Sequence, residues 1–513
     1  MTRRFYVTTP IYYVNGAPHI GHAYTSIAAD VMARFHRLAG HDVFFLTGTD
    51  EHGQKVEQAA QAAGVEPQAF VDRIAADFRD MADSMAISYD DFIRTTEPRH
   101  VTGAQALWER VAQNDAIYLG AYEGWYALRD ECFYGEDELT TGPDGQKLAP
   151  TGAPVEWVKE PSYFFRLSAF QDRLLELYEQ CPEFLGPHGA RNEIISFVRQ
   201  GLRDLSISRT SFKWGIPVPG DEAHVMYVWF DALANYLSAL GFPDMDGARA
   251  AYWPADLHLV GKDIARFHAV YWPAFLMAAG IDVPRRIFAN GWWTVEGQKM
   301  SKSIGNVIDP RDLVREFGLD AVRFFLLREV PFGGDSDLSR KALITRNNVE
   351  LANDLGNLAQ RTLSLVAKNC EAMIPARGEP TVEDTQLLAQ VAVLPQLMAT
   401  QLERSALTDA LEDVWKVIRA CNAYIDHQAP WALRKTDTVR MASVLRVLLD
   451  ALRGIATVLQ PFMPQTMERM LDQLAVQPDE RSLAALEVPL PAGRALPAPQ
   501  GLFPRYVEPE ATP

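Results

Sequence analysis

The feature that most constrains this chain is a strand, helix, strand unit near its start that returns, in kind, after a long interval. Residues 4–9 (RFYVTT) and 42–47 (DVFFLT) read as short buried strands. Between them Ile20, Tyr24, Ile27, Val31, Phe35 and Leu38 recur at helical spacing, and Gly40 closes the run. Two strands joined by a helix in so short a length imply a right-handed crossover and parallel pairing. The same texture reappears at 256–261 (DLHLVG), in a helical stretch at 263–279, and at 286–291 (RIFANG). One parallel sheet is therefore expected to be split by an insertion.

The expected fold class is α/β. A Rossmann-like parallel-sheet domain occupies 1–116 and 226–292, interrupted by an inserted domain at 117–225 rich in Trp, Tyr, Gly and Pro. Residues 293–337 form a loop-bearing region after the last strand. From 338 to 480 the chain reads as a helical bundle, with Val414, Ile418, Cys421 and Ile425 on one face of a helix stopped by Pro430. The Pro-rich tail, 481–513, is of the kind that wraps a surface or frays.

Composition narrows the function. The net charge of −17 disfavours non-specific binding to DNA or RNA, so a nucleic-acid partner needs a local basic or aromatic patch. Cys132, Cys181, Cys370 and Cys421 are scattered, which argues against a disulfide framework or a zinc knuckle. No apolar run approaches the roughly 20 residues of a membrane span, and MTRRFYVTT has no apolar segment behind its charges. A cytoplasmic enzyme with no membrane association is expected.

In "VNGAPHIGH", His19 and His22 sit three apart on the first turn of the predicted helix. They could grip a metal, hold an anion or merely pack. A metal pair needs further donors, which only Asp50, Glu51 and His52 could bring from the next strand end. The anion reading fits the context better: the turn delivers a helix N-terminus and two imidazoles to the carboxyl edge of a parallel sheet. Gly21 lets a base or phosphate approach the backbone, and a nucleoside triphosphate is the natural occupant. A second motif, GQKMSKSIG at 297–305, places Lys299 and Lys302 on a glycine-flanked loop, where two ammonium groups suit charge that builds on a transferring phosphate.

HIGH followed by KMSKS in one split sheet resembles the class I aminoacyl-tRNA synthetases. Within them "PIYYVNGAPHIGHAYT", "GTDEHG", "PVEWVKEPSYFFRLS", "YVWFDALANY", "GKDIARFHAVYWPA", "KMSKSIGN" and "NAYIDHQAPW" resemble methionyl-tRNA synthetases, in that family's order and over nearly the whole chain. The resemblance implies a methionyl-adenylate made from methionine and ATP, then transfer to tRNA. It implies His19 and His22 on the phosphates, and Lys302 with Lys299 on the leaving pyrophosphate. Gly21, Gly261 and Asp263 would line the ATP site, Arg209 would meet a carboxylate or phosphate, and Mg2+ would arrive with ATP. Ile11, Tyr13, Trp229, Ala232, Tyr236, Ile264, Phe267, His268 and Trp272 match the family's methionine pocket, with Asp50 as partner of the ammonium. For Phe267 and Trp272, plain core packing stays equally open.

The resemblance also assigns Asn357, Arg361 and Trp431 to the CAU anticodon of initiator and elongator tRNA(Met), and 338–480 to an anticodon-binding domain. The family's C-x-x-C pairs are missing from the insertion, where Cys132 stands alone in "LRDECFYGEDEL". A zinc-free connective peptide packed around Trp125, Tyr126, Phe133 and Tyr134 is expected, in a monomer. Homocysteine should enter an apolar methionine pocket, because one methylene is worth only ~1 to 3 kcal/mol of discrimination. Synthetases for leucine, isoleucine or valine would carry a large editing insertion, and the cysteine enzyme would need zinc thiolates. A non-catalytic paralogue should have lost a signature residue, and a small nucleotidyltransferase would leave the helical domain unexplained.

Overall fold

The computed structural model describes residues 3–130, 132–300 and 306–508. β1 (Arg4–Tyr13) lies inside a six-stranded sheet between β2 (Asp42–Asp50) and the strand Leu257–Gly261. β3 (Asp91–Arg94) follows on one side, Ile287–Asn290 and then Leu185–Gly186 on the other, and all neighbours are parallel. Alternate side chains enter two cores, as a period of two requires. Phe5, Val7 and Phe45 pack towards α1 (Ile20–Leu38), while Tyr6, Phe44 and Leu46 pack towards the helices on the other face.

Both opening strands run past their sequence-read ends. Pro10 has no amide hydrogen to donate, and the ladder with β2 shifts register between Thr8 and Ile11 before resuming at Ile11↔Gly48 and Tyr13↔Asp50. This continuation carries Ile11, Tyr13 and Asp50 to the carboxyl edge. The expected helix at 263–279 is also broken. A 3-10 turn at Lys262–Ile264 is followed by a π-helical turn at Phe267–Tyr271 and an α-helix at Trp272–Ala279. Pro273 cannot donate to the carbonyl four residues back, and the Tyr178 hydroxyl donates to that Ala269 oxygen instead, at 2.6 Å.

The stretch 117–225 is not one separate inserted body. Its long hairpin, Ile117–Ala127 with Glu156–Phe165, is antiparallel, but Leu185–Gly186 returns to the main sheet as its edge strand. Two residues are too few to show periodicity. The helical part beyond Arg340 shares a continuous core with the α1 face of the sheet, from Ile27 and Val31 through Phe324 and Phe325 to Trp415, Leu448 and Met467. The tail wraps this core. Leu490, Leu496 and Leu502 are buried, Arg446 donates to the Leu490 carbonyl at 2.7 Å, and the Tyr506 hydroxyl donates to Glu316 at 2.6 Å. Among the described residues no helix is long and apolar enough to cross a membrane.

One buried ion pair pins these layers together. Arg323, on the helix Leu319–Arg328, donates to Asp30 of α1 at 2.6 Å, to the Met85 carbonyl at 2.9 Å, and to the carbonyls of Pro461 and Phe462 at 2.8 and 3.0 Å. Both side chains are fully buried. Burial alone would raise the Asp30 carboxyl, yet Arg323 and Arg34 hold it below the usual carboxylate range. Asp30→Ala should therefore strand a buried guanidinium and lower unfolding stability by about 3–5 kcal/mol. Chemical denaturation checks this, and a loss under about 1 kcal/mol would contradict it.

Candidate active site

A cavity of about 950 Å³ opens at the carboxyl edge of the sheet. It collects His19, Gly21 and His22 from the turn after β1, Asp50 from the end of β2, and Gly261, Asp263, Ile264, Phe267 and His268 from the far half of the sheet. Ile11, Tyr13, Trp229, Ala232 and Tyr236 complete the wall. His19 caps α1: its extended backbone leaves the helix, and its ring nitrogen accepts from the Gly21 amide at 3.1 Å. The His19 amide in turn donates to His22 Nδ1 at 3.1 Å, and the two rings stack with centroids 3.8 Å apart. A Cβ on Gly21 would meet the His19 ring at 3.0 Å, so any larger residue there would crowd the capping ring. The Ile20 amide donates to the Ile308 carbonyl at 3.1 Å, tying this helix start to the chain just beyond the lysine loop.

The opposite wall is apolar with one polar post. Trp229 and Phe267 stack face to face, centroids 3.8 Å apart and planes 4° from parallel. His268 is buried between two partners that fix its tautomer. The Ile264 carbonyl, 3.0 Å from Nδ1, can only accept, so Nδ1 carries the proton and Nε2 accepts from the Tyr236 hydroxyl at 2.7 Å. Burial pushes the His268 imidazole down to about 4, so it is neutral at physiological pH. Phe267 and His268 open a π-helical turn, and both line the cavity.

Beneath Asp50 lies an arrangement that sequence reasoning missed. Asp231 is fully buried, with one carboxylate oxygen 2.7 Å from His52 Nδ1 and the other 2.7 Å from His100 Nε2. Burial would raise its carboxyl, but His52 and His100 pull it to about 2. This anchors the helix Val228–Leu233, which carries Trp229 and Ala232, to the chain immediately after Asp50. The only signal was the strand-end triplet Asp50, Glu51, His52. Lys55, Lys262 and Trp292 also line the cavity without having been singled out. Lys262 lies 4.0 Å from the Trp292 ring centroid and 2.6 Å from Asp335.

The comparisons with known proteins bear on this geometry. Residues 5–363 match the model for class I (M) tRNA synthetases, and 374–512 match the anticodon-binding domain of methionyl tRNA ligase. A methionine–tRNA ligase of Brucella suis is 55% identical over 506 residues, covering 98% of both chains, and one of Rickettsia felis is 54% identical over 511 residues, covering 99% of each. The Mycobacterium tuberculosis methionyl-tRNA synthetase solved with methionyl-adenylate has a TM-score of 0.96 and 51% identity, over 98% of this chain and 100% of that one. Its apo form has a TM-score of 0.91 at 48% identity, over 99% of both chains. The chain belongs to the methionyl-tRNA synthetase family. It is an aminoacyl-tRNA synthetase that ligates methionine to tRNA with ATP, through an adenylate.

Two expected residues of this synthetase stand off the cavity. Trp272 is fully buried behind Tyr236, ring centroids 5.9 Å apart, and is core packing that backs the wall. Arg209 is buried too, donating to the Ser208 carbonyl at 2.7 Å and the Ser206 hydroxyl at 2.9 Å, with its guanidinium carbon 4.6 Å from the Tyr227 ring centroid. It is not among the residues that line the cavity, and its guanidinium carbon also lies 4.7 Å from the Phe133 ring centroid of the insertion. Lys299 sits in the short strand Gln298–Lys299, paired with Thr294, and Lys302 lies outside the described residues. In the insertion Trp125 packs with Tyr134 around Ala127, Ala149 and Ala153, and the Tyr126 and Phe133 rings lie 4.7 Å apart.

In the helical domain Asn357 opens the helix Asn357–Asn369 and Arg361 follows one turn later. The Arg361 guanidinium carbon stands 5.3 Å from the ring centroid of half-exposed Trp431, and its Nη2 donates to Asp426 at 2.6 Å. Arg361 and Trp431 thus share one surface patch.

The neutral His268 has a measurable consequence. The unfolded chain protonates this imidazole near 6.5, whereas the fold keeps it neutral down to about 4. Unfolded chain therefore binds more protons in that window, and stability falls as pH drops through it. His268→Gln should make the fall between pH 7 and pH 5 shallower, measured as the shift in denaturation midpoint. An equal shift in parent and variant would show that His268 titrates normally.

Proposed function

We propose that this cavity holds both half-reactions and that each substrate is held by residues from both halves of the sheet. The observation that supports this is the convergence of His19 and Gly21, Asp50, Gly261, and His268 from separate strand ends on one cavity. The methionine side chain lies along Trp229, Phe267, Ile11, Ile264 and Tyr236, with Tyr13 and Ala232 closing the pocket. Its ammonium group is held by Asp50. The neutral His268 gives a sulfur-bearing apolar chain a polar neighbour without placing a charge beside it.

ATP lies beside the methionine. His19 and His22 meet the triphosphate at the start of α1, Gly21 admits it close to the backbone, and Gly261 and Asp263 take the ribose side. A methionine carboxylate oxygen attacks the α-phosphorus, the bond to the β-phosphate oxygen breaks, and pyrophosphate leaves against Lys302 and Lys299. The terminal 2′-hydroxyl of tRNA then attacks the methionyl carbonyl, and AMP departs with the electron pair. The protein forms no covalent bond in either step, so positioning and charge stabilisation carry the rate. Magnesium enters with ATP and offsets the charge of its phosphates. Among the described residues no three His, Cys, Asp or Glu side chains converge as an ion cage.

Selection of tRNA(Met), initiator and elongator, rests in this proposal on Asn357, Arg361 and Trp431 reading the CAU anticodon. An indole and a guanidinium on one patch suit an unstacked base, and let an acidic protein bind RNA rather than DNA. Each chain carries both the cavity and this patch, which supports action as a monomer, here placed in the cytoplasm. The insertion is read as zinc-free: Cys132 is one thiol, pushed up to about 12 by burial, where a tetrahedral site needs four donors. Stoichiometric zinc in the purified protein would refute that.

Methionine-dependent exchange of pyrophosphate into ATP tests the catalytic proposal. The parent should exchange, and Lys302→Ala should lose about 100-fold or more, the scale of removing one transition-state donor. Exchange that survives intact in the variant would overturn Lys302's role. Trp431→Ala should raise KM for tRNA in charging and leave exchange nearly unchanged. Loss of both activities together would place Trp431 in the general fold instead.

A further inference from the structure

The anticodon patch is attached to the bundle by an unusual connection. Trp431 stands in the segment 429–437, between the helices Leu407–Gln428 and Thr438–Leu459. That segment begins at Ala429, whose φ of 45° puts a residue with a Cβ in the left-handed region. The ring is half exposed, so packing alone does not hold it.

A polar network grips both ends of the segment. Arg440, in the first turn of the following helix, donates to Gln428 Oε1 at 2.7 Å in the last turn of the preceding one. The same guanidinium donates to both oxygens of Asp384, at 2.5 and 2.7 Å. Asp384 also accepts from the Tyr424 hydroxyl at 2.6 Å and the Thr381 amide at 3.1 Å. Three helices thus meet on one carboxylate. Burial alone would raise this carboxyl, but Arg440 and Tyr424 hold it well below the usual range. A bidentate guanidinium fixes direction as well as distance, which a lysine could not do.

We propose that Asp384 and Arg440 are positioning residues for anticodon reading: by clamping both ends of 429–437 they preset Trp431 over Arg361 before tRNA arrives. This rests on the reading of Trp431 and Arg361 as the anticodon patch. Neither residue of the clamp need touch RNA. Its contribution is to remove the ordering cost that a loose loop would add on binding.

The test is a double-mutant cycle on tRNA charging, with methionine-dependent exchange run beside it. Asp384→Asn keeps size and an acceptor for the Thr381 amide while losing the charge that orders Arg440. It should raise KM for tRNA about tenfold, leave kcat and exchange unchanged, and have no further effect in a Trp431→Ala background. Tyr424→Phe, which removes one bond from the same carboxylate, should show a smaller change of the same kind. Independent, additive effects of Asp384→Asn and Trp431→Ala would overturn the proposal, as would an unchanged KM in Asp384→Asn where Trp431→Ala raises it. If Trp431→Ala itself leaves KM for tRNA unchanged, the anticodon reading falls and the clamp with it. If exchange drops in step with charging, the carboxylate is a general structural group and the proposal is wrong.

Discussion

Everything at the active site depends on β1 finding Leu257–Gly261 across some 250 residues of intervening chain. The ladder is short, pairing Val7 with Leu257 and Thr8 with His258. It is reinforced by the Tyr6 amide donating to Asp256 at 2.8 Å and by Thr8 and His258 side chains 2.8 Å apart. Closing so long a loop costs conformational entropy, and the return is a sheet buried on both faces. That pairing sets one wall, with His19 and Asp50, against the other, with Asp263 and His268. Neither half forms the cavity alone.

From there α1 works in two directions. Its start holds His19, Gly21 and the link from Ile20 to Ile308, so the chain beyond the lysine loop is tied to the helix start beside the cavity. Its middle holds Asp30, and through Arg323 the catalytic sheet meets the helical domain at Pro461 and Phe462. One helix thus touches the cavity and the helical domain of the synthetase. The continuous apolar core between them makes this a packed joint rather than a tether.

The split sheet and the helical domain were legible because long apolar periodicity survives in the sequence. The HIGH turn was legible because glycine and two imidazoles cluster at a helix start there. Leu185–Gly186 was not, since two residues carry no period. The break in 263–279 escaped because the apolar spacing looked helical, and only Pro273 hinted that a hydrogen bond would be missing. Trp272 and Phe267 belong to one apolar run, yet one is core and the other faces the cavity, because five positions on a helix fall on different faces. Arg209 was expected from the resemblance to meet a carboxylate or phosphate, whereas it donates to a carbonyl and a hydroxyl and packs on aromatic rings off the cavity. The Asp231, His52, His100 cluster was invisible because its members come from three distant segments.

The central claim is that methionine and ATP together occupy one cavity made by both halves of the sheet. Hydrogen–deuterium exchange of the whole protein, with and without methionine and ATP, measures this directly. Amides at 13–22 and at 261–268 should both slow when the two substrates are present, while those at 357–361 and 429–437 stay unchanged. Protection confined to one half of the sheet, or found in the helical domain without the cavity, would contradict the account.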